Sequence, residues 1–189
     1  MSQHEVISVL AGGWSARHHD VHRLPGTVIG CNDAALFGRC DIAISMDRLW
    51  TEYRWDRLIS LHIPTWIRDA ALKNIPPNWP GWLNRFACDH ESSIMSDEPG
   101  VLNGTNTGLC AVNLAYQFRP RRLYLYGMDL VVGPHGERHW YPDYEFKPKG
   151  SGTSSGTFAK WRQDLNRALK QCQVVGIETN IMTAKTKAA

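Results

Sequence analysis

The chain alternates short, unbroken apolar runs with stretches of helical periodicity, and this alternation limits its folds more than any other feature. "EVISVLAG" (5–12), "TVIGC" (27–31) and "DIAISMD" (41–47) stay apolar throughout instead of alternating with polar residues. Runs of this kind suit strands covered on both faces, as in a parallel sheet between helices. "IPTWIRD" (63–69), "RRLYLYGMD" (121–129) and "QVVGIE" (173–178) are three further expected strands. Between them "RLWTEYRWDRLI" (48–59), "TNTGLCAVNLAYQF" (105–118) and "TFAKWRQDLNRALKQC" (157–172) carry a helical period. Thr105 or Asn106, and Thr157, are the expected N-caps. The pattern predicts an α/β fold: a Rossmann-like, mainly parallel sheet with helices on both faces. With no internal repeat and no linker in its 189 residues, the chain is expected to form a single domain over 1–189.

Two segments interrupt the alternation. Residues 70–100 carry Pro76, Pro77, Pro80 and Pro99 and read as irregular. Residues 130–156 are rich in glycine, proline and, toward the end, serine. A loop this long inside a compact domain is expected to be a lid or a binding loop.

Several function classes find little support. No apolar run approaches the ~20 residues of a membrane helix. The start, "MSQHEVIS", lacks the basic and apolar regions of a secretory leader. A cytoplasmic protein with no integral membrane segment is therefore expected. The net charge of +3 is mild and gives no reason to expect a nucleic-acid partner. Arg119, Arg121 and Arg122 read as a solvated corner between helix and strand. Five cysteines without a C-x-x-C offer neither zinc-site spacing nor a disulfide framework. Cys31, Cys110 and Cys172 lie in apolar company and read as buried thiols. No metal site is expected. A nucleophile elbow of the G-x-S-x-G type is absent as well.

In open α/β sheets, ligands bind at the carboxyl ends of the strands, near the point where strand order reverses. The residues just beyond each expected strand are therefore the candidates. Gly12, Gly13 and Ser15 follow the first; glycine permits close approach, and amides and a hydroxyl can hold an anion. The alternative is a plain strand-to-helix turn. Asn32 and Asp33 follow the second, as nucleotide contacts or as an Asx-turn or helix cap. Asp47 ends the third, as a helix cap or facing the site. Asp129 ends the clearest strand. Thr105, Asn106, Thr107 and Gly108 open a helix whose amides suit a phosphate or carboxylate. In the lid, His139, Tyr141 and Tyr144 stand near basic groups. A histidine there can act as general base, and tyrosine hydroxyls can steady a leaving phosphate.

In order and spacing these blocks are also familiar. "LAGGWSARHHDVHRLPGTVIGCNDA" (10–34) resembles the opening of the bacterial lipooligosaccharide sialyltransferases. In that family a strand enters an A-G-N-G-P-S loop and a second strand ends in "RCN". "CAVNLA" (110–115) and "RRLYLYGMDL" (121–130) resemble its C-A-V helix and the strand that follows. A wider α/β group with this core includes the hydroxymethylpterin diphosphokinase-like proteins. The resemblance implies a transferase that binds a nucleotide-sugar of the CMP type and works without a metal or a resident cofactor. It implies Gly12, Gly13 and Ser15 on the phosphate and ribose side, Asn32 on the nucleotide, and Thr105 to Gly108 against base or sugar. Lid tyrosines would steady the leaving phosphate and a lid histidine would deprotonate the acceptor. The family's base histidine would fall near Ser154 and Ser155, which leaves His139 to serve.

The expected function is therefore a glycosyltransferase-like enzyme whose partner is a small nucleotide or nucleotide-sugar. The alternatives are a nucleotide-binding protein without catalysis and a diphosphokinase-like transferase, which would require Mg²⁺ and clustered carboxylates. A homo-oligomer stays open as a further association.

Overall fold

A computed structural model describes residues 5–75, 77–92, 94–142 and 155–183. The strands are β1 (Val6–Leu10), β2 (Thr27–Cys31), β3 (Ile42–Ser45), β4 (Thr65–Arg68), β5 (Leu83–Phe86), β6 (Arg122–Tyr126) and β7 (Glu178–Met182). They form one sheet in the order β5-β4-β3-β2-β1-β6-β7, with every neighbouring pair parallel. The helices are α1 (Ala34–Phe37), α2 (Arg48–Ser60), α3 (Thr107–Gln117) and α4 (Ser155–Val174). Short 3-10 turns occupy Trp14–His18 and Asp69–Ala71.

The central strands are buried on both faces, as their unbroken apolar runs require. Ile7 and Val9 of β1 pack with α3 and α4 residues such as Leu109, Val112, Leu165 and Ala168. Leu10, on the opposite face, packs with Ala16, Val21 and Ala34. Ala43 of β3 and Ile67 of β4 pack with Trp50 and Leu58 of α2. The edge strands differ: β5 and β7 are mostly half-exposed, and β7 places Glu178, Thr179 and Asn180 along the margin. Polar, short edges discourage pairing with another chain.

Helix α3 is buried from Thr107 through Tyr116, which explains why its sequence is apolar on all sides. Its one interior amide, Asn113, makes three hydrogen bonds. Oδ1 accepts from Ser96 N at 2.9 Å and Asn103 N at 2.8 Å, and Nδ2 donates to Ser96 O at 2.9 Å. That clamp fastens the irregular stretch ahead of α3 onto the helix, and a buried polar group requires such partners.

Three elements depart from the sequence expectation. The proline-rich segment 70–100 contains β5, whose "LNRF" is too short and polar to stand out as a strand. The expected strand at "QVVGIE" is helix through Val174. Gly176, at φ +85°, turns the chain, and the strand is "ETNIM". Val174 and Val175 are exposed at the helix end, so their β-branched character reflects no buried strand. Helix α4 begins at Ser155, ahead of the expected cap Thr157, so the lid segment gives way to helix before 156. Asp47 does cap α2: its Oδ1 accepts from Trp50 N at 3.1 Å.

Among the described residues no helix is long and apolar enough to cross a membrane.

Candidate functional site

Strand order reverses between β1 and β6, so a crevice opens beyond their carboxyl ends. The ladder between them continues past the strands. Ala11 N donates to Tyr126 O at 2.8 Å and Gly13 N to Gly127 O at 2.9 Å. Two residues later the Ser15 hydroxyl, buried in the 3-10 turn, donates to Asp129 Oδ1 at 2.5 Å.

This geometry corrects the expected use of Gly13. Its amide is bonded to Gly127 and is not presented to an anion. Glycine is required for another reason: a Cβ there would run into the Gly127 carbonyl and stand 2.7 Å from Asp129 Oδ1. The residue lets the β1 loop and the end of β6 close on each other.

A cavity of about 510 Å³ lies in the crevice. Trp14, Met128 and Leu165 form apolar wall; Ser15, Asp129 and Arg162 contribute polar groups. Asp129 Oδ2 is buried with no hydrogen-bond partner among the described residues, and Trp14 Nε1 is in the same condition. Arg162 Nη2 donates to Leu130 O at 3.2 Å, which holds a guanidinium at the cavity wall. Sequence reasoning did not single out Arg162. Its only signal is its helical spacing: it lies three residues ahead of the buried Leu165 on α4, close to the face turned to the sheet.

The start of α3 borders the same rim. Asn106 caps the helix through Oδ1, accepting from Leu109 N at 3.0 Å, while its Nδ2 is buried without a partner among the described residues. Thr107 Oγ1 accepts from Met46 N at 3.3 Å, and Cys31 Sγ lies 4.0 Å from Thr107 O. A Cβ added to Gly108 would stand 3.0 Å from Met128 Sδ. Thr105 faces α4 instead, its Oγ1 donating to Asp164 Oδ2 at 3.0 Å. Asn32 sits beyond Cys31 with φ +51°, a conformation asparagine tolerates better than most residues. Its Oδ1 is also buried and without a partner among the described residues. Of the expected site residues Ser15 and Asp129 line the cavity, Gly108 approaches it through Met128, and Thr107 joins the turns after β2 and β3.

Asp33 does not line the cavity, which corrects the expectation that it faces a ligand. Entry into α1 turns its side chain beneath α2, where it is fully buried. Trp50 Nε1 donates to Oδ1 at 2.7 Å, Arg54 Nε to Oδ1 at 3.0 Å and Arg54 Nη2 to Oδ2 at 3.1 Å. The carboxylate ties α1 to α2.

The first part of the lid is strapped over the β1 loop. Trp140 N donates to Gly12 O at 3.1 Å and Trp140 Nε1 to Ala11 O at 2.9 Å. His139 stacks on Tyr141 at 5.1 Å between centroids, and Tyr141 stacks on Phe37 at 5.7 Å. A Cβ on Gly12 would stand 2.5 Å from Tyr141 Oη and 2.9 Å from His139 Nδ1, so both polar tips converge on Gly12. Gly12 therefore meets the lid pair while Gly13 meets Asp129, as successive residues of extended backbone face opposite ways. At the outer lid turn, Glu137 accepts from the His135 amide at 2.9 Å. Backbone amides, its own and that of His135, hold its carboxyl below the usual range. Tyr144 lies outside the described residues.

No protein-family profile matches this chain, and no curated protein sequence does. Among solved structures it is similar to the sialyltransferase CstII from Campylobacter jejuni, determined in complex with a substrate analogue, CMP-3FNeuAc. The TM-score is 0.54 at 14% identity, over 96% of this chain and 82% of that one. At this identity the likeness is one of fold: a parallel, Rossmann-like α/β sheet.

Proposed function

We propose that this chain is a glycosyltransferase-like enzyme that binds a nucleotide-sugar of the CMP type along the rim and transfers the sugar without a metal. The observation carrying the reading is Asp129. One of its oxygens is held by Ser15 and the other is buried, without a partner among the described residues, at a cavity in the switch-point crevice. A buried acceptor of this kind calls for a donor, and the hydroxyls of a ribose or sugar supply one. The likeness of fold to a sialyltransferase solved with a CMP-sugar analogue supports the same choice.

In this reading the nucleoside occupies the cavity beside Trp14, and Asp129 accepts from ribose. The phosphate lies where positive charge is concentrated, at Arg162 and the amino end of α3. Asn32 and Asn106 offer their buried amide atoms to base or sugar. Gly12 and Gly13 put no side chain in the divider between cavity and lid, so a long ligand straddles it. The acceptor hydroxyl oxygen bonds to the anomeric carbon as the bond from that carbon to the phosphate oxygen breaks. His139 takes the acceptor's proton and the Tyr141 hydroxyl donates to the leaving phosphate.

A thermal-shift panel of CMP, UMP, GDP-sugars and ATP, with Mg²⁺ or with EDTA, tests the reading. A ligand at 100 times its dissociation constant stabilises by ~2.7 kcal/mol. CMP is expected to raise the melting temperature equally in EDTA, and Asp129→Asn to reduce the shift. No shift with any nucleotide overturns the reading. A shift that needs Mg²⁺ favours the diphosphokinase-like alternative. Binding without sugar transfer to any acceptor leaves only the non-catalytic one.

A further inference from the structure

Away from the β1/β6 crevice, the loop leaving β5 brings Cys88 to Cys110 in the first turn of α3. Their Sγ atoms are 3.7 Å apart. Both thiols also lie against one carbonyl, Gly104 O, at 3.6 Å and 3.8 Å, and Cys110 Sγ is 3.5 Å from Leu102 O. The surrounding backbone is paired: Ala87 N donates to Gly100 O at 2.8 Å and Leu102 N to Ala87 O at 2.9 Å. The two sulfurs are therefore held in register by structure on both sides.

They differ in access and in chemistry. Cys110 is fully buried. Cys88 is half-buried and lines a cavity of about 320 Å³ with Arg68, Phe86 and His90. The hydrogen bond shared with the Cys110 thiol, and then the Arg68 charge, draw the Cys88 thiol below its usual range, while the same pairing and burial push Cys110 well above it. The other three thiols are pushed up by burial, Cys40 to about 12 and Cys172 to about 11. A reactive thiol needs thiolate character and an approach, and Cys88 combines the two.

We propose that Cys88 and Cys110 form a peroxide-responsive pair, in which a hydroperoxide reaching the Arg68 cavity oxidises Cys88 and Cys110 closes it to a disulfide. The Cys88 thiolate attacks the O–O bond and becomes a sulfenic acid as the hydroperoxide leaves, protonated, as an alcohol or water. The Cys110 sulfur then displaces that hydroxyl as water. Two thiols and one hydroperoxide give one disulfide, one alcohol or water, and one further water. The sulfurs have to close from 3.7 Å to the ~2.05 Å of a disulfide, within reach of a small shift in the Cys88 loop. Closure removes both S–H donors from Gly104 O and so loosens the turn that leads into α3. The step goes beyond the transferase reading and does not depend on it.

Peptide mapping of the whole protein tests this. Trypsin leaves Cys88 and Cys110 together in 86–121, since Arg119 precedes Pro120, and no other cysteine falls in that peptide. After hydrogen peroxide and then iodoacetamide, 86–121 is expected lighter by the two thiol hydrogens, unalkylated, and restored by dithiothreitol. Peptides carrying Cys31, Cys40 and Cys172 are expected fully alkylated. Cys110→Ser should leave Cys88 as a sulfenic acid trapped by dimedone, and Cys88→Ser should leave Cys110 unoxidised. Peptide 86–121 alkylated at both cysteines after peroxide, or a disulfide to any other cysteine, overturns the proposal. The wild-type map decides this even where a variant fails to fold.

Discussion

Ser15 and Asp129, 114 residues apart in the chain, share a hydrogen bond of 2.5 Å that joins the loop after β1 to the turn after β6. It closes the sheet at the one place where strand order reverses. A hydrogen bond to a charged group contributes ~1.5–3 kcal/mol. Ser15→Ala is expected to cost that much in urea denaturation, because neither Asp129 oxygen would then have a partner among the described residues. Ser15→Ala combined with Asp129→Ala should cost less than the two single changes added together. Strict additivity would mean the two side chains do not act as a pair.

The two glycines of this loop should respond differently to alanine. At Gly13 a Cβ meets the Gly127 backbone, which cannot yield without separating β1 from β6. At Gly12 it meets the tips of Tyr141 and His139, which are side chains of a loop. Overpacking costs ~1–3 kcal/mol. Gly13→Ala is expected at or above the top of that range and Gly12→Ala near the bottom, by thermal denaturation. Gly12→Ala should nonetheless depress sugar transfer, since it displaces both lid groups. Equal losses of stability would show that the β6 turn is more yielding than its contacts suggest.

Asp33 is predicted to be scaffold. Removing one partner of a buried, multiply bonded ion pair costs ~3–5 kcal/mol. Asp33→Ala should lose stability on that scale, because the Arg54 guanidinium and the Trp50 indole N–H lose their acceptor. The folded fraction should bind nucleotide with unchanged affinity, measured calorimetrically at low temperature. A tenfold weaker affinity in folded protein would return Asp33 to the site.

Asp33 also shows where the sequence stopped being informative. Strands β1, β2, β3 and β6 were legible because burial on both faces leaves an unbroken apolar run, and the residues beyond their ends could be named in advance. Which way each of those residues points is decided by tertiary contacts. Asn32 and Asp33 are adjacent, yet Asn32 Oδ1 is buried without a partner among the described residues while Asp33 is drawn under α2 by an arginine 21 residues further on. The strand at 83–86 and the one at 178–182 were hidden because edge strands need no continuous apolar run. Arg162 was hidden because an exposed helical arginine looks the same whether it faces solvent or a cavity.

The lid pair supports the most direct test of catalysis. His139 and Tyr141 are stacked and both converge on Gly12, yet Tyr141 is also packed on Phe37 as part of the core. His139→Ala removes a half-buried ring and should leave nucleotide affinity nearly intact while lowering sugar transfer by ~10²–10⁴-fold, the usual contribution of a general base. Tyr141→Phe keeps the stacked ring and removes only the hydroxyl, so stability should hold while kcat falls. Transfer rates give the first comparison, and calorimetric binding of CMP the second. If His139→Ala turns over at the wild-type rate, the base is another group and the lid's role is confined to closing over the loop.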